Sequence, residues 1–190
     1  MADKKPIKAT YSGTDTNGLA EFVAADTIGV ADGGTGGTTA AAARSNLGVK
    51  IAQVLQTQIT GIVTTTSTSF VDLTGVTIAI TPSATSSKIL VSVSSNVSLS
   101  GSNTWWAQLV RGTTVIGGGA DGIALGDAGA TGVGAQHWTA EYLDSPSTTD
   151  ATTYKVQWKV DGNTGVVNGW GDGYANRTSQ STITVMEILA

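Results

Sequence analysis

The stretch KILVSVSSNVSLS, residues 88–100, decides the fold. Ile89, Val91, Val93, Val97 and Leu99 face one way along it, and Ser92, Ser94, Asn96 and Ser98 face the other. A two-residue period held over this length describes a strand with one buried face. Residues 154–160 repeat it: Tyr154, Val156, Trp158 and Val160 alternate with Lys155, Gln157 and Lys159. Further candidate strands lie at 51–63, 70–80, 104–110, 113–116, 136–143, 165–170 and 182–189, and Arg111-Gly112 supplies a tight turn between two of them. Short strands parted by Gly, Ser, Asp and Asn turns predict an all-β fold, an antiparallel jelly-roll-like β-sandwich over 51–190. The last strand differs from the rest. Ile183 and Val185 point one way, Met186 and Ile188 lie off that face, and Glu187 is its single charge. A strand apolar on both faces is expected to be buried on both. In a two-sheet sandwich only one face meets the core, so Met186 and Ile188 are expected to meet another subunit.

Upstream of residue 50 the pattern changes. Residues 33–49 read GGTGGTTAAAARSNLGV, a Gly/Thr hinge followed by a short alanine run. Thr38 or Thr39 can cap a helix through its hydroxyl, residues 40–43 are strong helix formers, and Gly48 suits a left-handed stop. A helix of about ten residues is marginal alone in water. Alanine lets backbones approach closely, so a threefold or twofold bundle is the expected stabiliser, with Ala40, Ala43 and Leu47 at the interface. Residues 1–32 form a polar arm broken by Gly13 and Gly18. Its apolar groups are Ile7 and, further on, Leu19, Phe22 and Val23; Ile28 and Val30 flank Gly29 as one short strand. That is too little for a core, so the arm is expected to be ordered only by docking on a partner.

Composition narrows the function classes. The chain has 190 residues, of which 40% are hydrophobic, 13% charged and 25 are glycine. An ordinary soluble domain is about a quarter charged. The net charge is -4 and only Lys4, Lys5 and Lys8 cluster, so no basic stripe offers itself to nucleic acid. There is no cysteine, which excludes disulfides and thiolate metal sites. The opening MADKKPIKATYSG has no apolar core of a secretory signal, and no stretch approaches the ~20 apolar residues of a membrane span.

The letters of several motifs occur without their context. His137 is the only histidine, no nucleophile-elbow pattern surrounds any serine, and a structural or surface role is expected for it. GGGADG, residues 117–122, fits G-x-G-x-x-G, but a glycine-rich run follows where the fingerprint needs a helix; 117–134 reads as a long mobile loop. Asp121, Asp127 and Asp172 lie in glycine-rich turns without calcium-loop spacing. Glu141, Asp144 and Glu187 are the carboxylates a glycosidase would need to pair, and their spacing shows no such design. Two N-x-S/T triplets, at Asn96 and Asn176, carry no weight without a secretory signal. No catalytic residue, cofactor or metal is therefore expected. Adjacent Trp105 and Trp106 must face opposite sides of a strand, one core and one outward, and Trp170 and Tyr174 flank Asp172 in a second glycine-rich turn. Outward indoles can stack on a sugar ring or anchor a subunit contact.

The string DGGTGGTTAAAARSNLGV, residues 32–49, resembles an element found repeatedly in tail fibres and other appendages of tailed bacteriophages. SSKILVSVSSNVS (86–98), LVRGTTVIG (109–117), YLDSPSTTDATTYKVQWKV (142–160) and TSQSTITVMEILA (178–190) resemble the carboxy-terminal module of small phage fibre-like proteins. The resemblance implies a homotrimeric, non-enzymatic virion component assembled in the host cytoplasm. It implies an arm at 1–32 attached to other virion proteins through Ile7, Leu19, Phe22 and Val23, an oligomerising hinge and helix at 33–50, and a head at 51–190. Host surface glycan or protein would meet the loops at 101–106, 117–134 and 161–177, with Trp105, Trp106, Trp170, Asp172 and Tyr174 as contacts. The chain has no shaft repeats, which leaves a head fibre, decoration or tail-connector role as the alternative to a short tail fibre.

Overall fold

The computed structural model describes residues 7–12, 15–21, 34–127, 134–169 and 179–190. Two compact units divide at residue 50, Met1–Lys50 and Ile51–Ala190.

In the first unit, β1 (Ile7–Ser12) pairs antiparallel with β2 (Asp15–Glu21). The sequence reading of the arm did not include this hairpin. A hairpin is closed by its backbone ladder, which apolar content does not report. The helix α1 (Ala40–Asn46) has seven residues, shorter than the sequence suggests. The Thr39 hydroxyl caps it by accepting from the Ala42 N–H at 3.1 Å. At its other end Gly48 takes φ +69°, and Val49 N–H donates to the Arg44 carbonyl at 2.9 Å. The glycines upstream have a steric reason. Asn46 Nδ2 donates to the Thr35 carbonyl at 3.0 Å, folding the hinge back along the helix, and a Cβ on Gly37 would lie 2.8 Å from the Ala42 Cβ.

The second unit is a two-sheet, all-antiparallel β-sandwich. Its strands are β3 (Ile51–Ile59), β4 (Val63–Thr65), β5 (Val71–Ile80), β6 (Lys88–Leu99), β7 (Thr104–Arg111), β8 (Thr114–Gly117), β9 (Ala124–Asp127), β10 (Gln136–Asp144), β11 (Thr152–Val160), β12 (Gly165–Val167) and β13 (Ser181–Ile188). In the first sheet β3 pairs β13, β13 pairs β6 and β6 pairs β10. Val97 of β6 pairs at once with Gln136 of β10 and Val167 of β12, so β12 shares the β13 edge of β6 and β4 continues outside it. The second sheet runs β5–β11–β7, with β8 and β9 pairing successive stretches of β7.

The alternation read from 88–100 is the core of this unit. Ile89, Val91, Val93, Val97 and Leu99 are buried and pack in one cluster with Tyr154, Val156, Trp158 and Val160 of the opposite sheet. Two polar devices pin the ends. Asn168, buried at φ +59°, donates to the carbonyls of Ile59 and Gly61 and accepts from Ser181 Oγ at 2.7 Å. Asp144 accepts from Arg111 Nη1 and from Tyr154 Oη, each at 2.7 Å, tying β10 of one sheet to β7 and β11 of the other.

Two expectations change here. Part of the 117–134 segment is ordered: Gly119 bridges Gly122, and β9 pairs β7 from Ala107 to Thr104. The strand expected over 165–170 ends at Val167 among the described residues. Along β13 burial alternates within one copy, which leaves the expected subunit contact of Met186 and Ile188 untouched. Glu187 lies on the core face with Ile183 and Val185, and Met186 and Ile188 are half-buried on the other.

Candidate functional site

The outer face of the first sheet follows from its register, because residues directly opposite one another share a face. Moving along β6, Ser92 lies beside Thr184 and Glu141, Ser94 beside Thr182 and Thr139, and Asn96 beside His137. This half of the face is hydroxyls, amides and one imidazole, with the single carboxylate of Glu141 beside Ser92. It holds a depression of about 530 Å³ lined by Thr60, Ser94, Asn96, His137, Ser179 and Gln180. Ser94 Oγ and His137 Nε2 stand 3.1 Å apart across β6 and β10. Gln180 is oriented by Gln58, whose Nε2 donates to Gln180 Oε1 at 2.8 Å. The described lining contains no carboxylate and no ammonium group. Such a set offers donors and acceptors in similar measure and suits a neutral, polyhydroxylated ligand. A serine and a histidine at this distance also resemble a nucleophile and its base, but His137 is exposed on an open sheet face, where water competes for both groups.

The candidates from sequence are scattered. Trp105 is 1% exposed and therefore unavailable as a surface contact. Its indole packs 5.7 Å from that of Trp138, and its Nε1 donates to Gln136 Oε1 at 2.9 Å. Trp106 faces outward from the second sheet, half-buried, where the Lys159 ammonium lies 4.9 Å from its ring and 4.8 Å from that of Phe70. Trp170, Asp172 and Tyr174 lie outside the described residues, as do Phe22, Val23, Ile28 and Val30. Ile7 is in β1 and Leu19 in β2. Ala40 is exposed, Ala43 half-buried, and Leu47 is 53% exposed.

Each carboxylate weighed for hydrolysis has a different setting. Glu141 is exposed on the outer face beside Ser92. Asp144 and Glu187 flank Ile89 on neighbouring strands, about 10 Å apart by backbone spacing. Asp144 is taken up by Arg111 and Tyr154. Glu187 Oε1 accepts from Ser83 N–H, Ser83 Oγ and Ser87 Oγ at 2.7, 2.6 and 2.6 Å, and Oε2 accepts from Gln53 Nε2 at 2.7 Å. Burial pushes the Glu187 carboxyl up, and the bonds from Ser83, Ser87 and Gln53 outweigh that and hold it below its ordinary 4.5. A general acid needs the opposite shift. Among the described residues no three His, Asp or Glu side chains gather into a metal-binding group.

Sequence reading missed Thr60, Ser94, Asn96, Ser179 and Gln180 as one site. The serine side of 88–100 was legible as a polar face; its neighbours come from loops and strands distant in sequence, from Thr60 on one side to Gln180 on the other. No protein-family model matches this chain, and no curated protein matches it either.

Proposed function

We propose that the chain is one protomer of a homotrimeric appendage on a tailed-phage virion, a short tail fibre or similar structure, whose sandwich contacts neutral glycan on the host cell. The observation that carries the contact is the depression at Ser94 and His137, neutral and hydroxyl-lined on an open sheet face. Two further features support the reading. The strand order β3–β13–β6–β10 over β5–β11–β7–β8 supports a jelly-roll reading of the sandwich, an architecture used by capsid and lectin domains. Residues 32–49 and the four later pieces resemble phage appendage proteins. Three heads on one stalk raise avidity without any single contact being strong.

The test is adsorption of the full chain to host cells, or its retention on a neutral-glycan array, with Asn96→Ala and His137→Ala. Both side chains lie on the outer face, so the fold is expected to survive and binding to fall at least tenfold. Unchanged adsorption by a folded double variant removes the receptor role. A purely structural decoration or connector is favoured by one observation: only Val49 and Lys50 separate the helix stop at Gly48 from β3, leaving no shaft. Labelled antibody found on the capsid shell, away from the tail tip, selects that reading.

A further inference from the structure

The other half of the same outer face is apolar. Val54 on β3 stands opposite Met186 on β13, Met186 opposite Leu90 on β6, and Leu90 opposite Leu143 on β10. The four side chains form one row across all four strands, about 14 Å wide by strand spacing. Val54 is 52% and Leu143 48% exposed, and the next pair along β3 and β13 is Ile51 with Ile188. Only Lys88 and Glu141 carry charge among the residues that these pairings place on this face. The outer face of the second sheet instead carries Asp72, Lys155 and Lys159. A face depleted of charge, with an apolar strip at one end and amides and hydroxyls beyond it, has the make-up of a subunit contact.

The chain itself identifies the occupant. Exposed apolar residues lie on both sides of residue 50 in the sequence, Leu47 and Val49 in the first unit and Ile51 and Val54 in the second. Ile51 is four residues after Leu47, a reach of at most ~14 Å. Any assembly held at 33–49 therefore tethers one copy's row close to the next copy's, an advantage no unlinked partner has. We infer that the row Val54–Met186–Leu90–Leu143 is the surface through which sister copies of the sandwich pack on one another. This rests on the oligomer proposed above. Ser94 lies four residues along β6 from Leu90, about 13 Å away. The packed copies thus cover the apolar end and leave the Ser94–His137 depression at the rim.

The full chain tests this by light-scattering mass over a dilution series, wild type against the Val54→Glu/Leu143→Glu double variant. Both positions are exposed in one copy, so circular dichroism should be unchanged while the mass falls to one chain, or dissociation moves to at least 100-fold higher concentration. The absence of cysteine gives a clean footprint in parallel. Maleimide should label Val54→Cys and Leu143→Cys at least tenfold more slowly than Thr149→Cys in the native assembly. A multi-chain wild type with unchanged double-variant mass, or with row positions labelled as fast as position 149, overturns the inference and leaves the oligomer standing. A wild type that is a single chain at all concentrations overturns both.

Discussion

Glu187 shows how one residue can look like an error and be a fastener. It is a lone carboxylate on the core face of β13, fully buried, and its partners among the described residues are hydroxyl, amide and backbone donors. Its four hydrogen bonds join three elements: the turn at 83–87, β3 and β13. Glu187→Ala strands those donors and is expected to cost about 3 kcal/mol, read as a lowered denaturant midpoint. Because the folded carboxyl titrates below its ordinary 4.5, its stabilisation is complete above that value and lost as pH falls through the folded one. The thermal midpoint of wild type should drop more steeply than that of Glu187→Gln on going from pH 6 to pH 3. Tyr154 runs the other way. Burial, then the Asp144 carboxylate, raise its phenol well above the ordinary 10.0. Its contribution is complete below that value and is lost as pH rises through the folded one. Ultraviolet titration should show Tyr154→Phe and wild type ionising with equal amplitude until alkaline unfolding begins; extra amplitude in folded wild type would contradict the buried pair.

At the scale of elements, β9 is held by a glycine. A Cβ on Gly126 would collide with Gln136 Oε1 and the Trp105 indole nitrogen, the two partners of one hydrogen bond. Gly126→Ala is expected to break that bond, detach β9 from β7 and cost about 2 kcal/mol, with a shift in tryptophan emission as the readout. A wild-type emission spectrum and unfolding midpoint would show that the site relaxes. The strand itself was invisible in the sequence. Ala124–Asp127 has four residues, too few for a period, and lies in a glycine-rich run. Long strands were legible because each presents five or so side chains to one core: β6 and β11 run where their alternation predicts. The β1–β2 hairpin was not, since its ladder leaves no periodic trace in a polar segment. The outer-face site was half legible. Serines at 92 and 94 announce the polar outer face of the strand, while Ser98 on the same side is buried and donates to the Gly169 carbonyl; which residues stand beside them depends on pairing β6 with both β10 and β13, and register is a property of the folded sheet.

At the scale of the whole molecule, the sandwich presents one charged outer face and one nearly neutral one, and the neutral face is divided between an apolar and a polar half. If sister copies bury the apolar half, raising salt should leave the assembly intact, because few charges cross it. Sedimentation at 0.05 and 1 M NaCl should give the same mass; dissociation at high salt would point to an ionic contact elsewhere. The place of β13 has a further consequence. It is inserted between β3 and β6, and Gln53 reaches Glu187 across 134 residues of sequence. It is also the last of these strands to leave the ribosome. The first sheet therefore stays split through most of translation, with the Val54 and Leu90 sides of the row still apart. A polypeptide halted before residue 181 has no completed surface to offer a sister copy. If sister copies pack through that row as inferred, their assembly waits until synthesis has passed β13, and prematurely terminated chains are excluded from it.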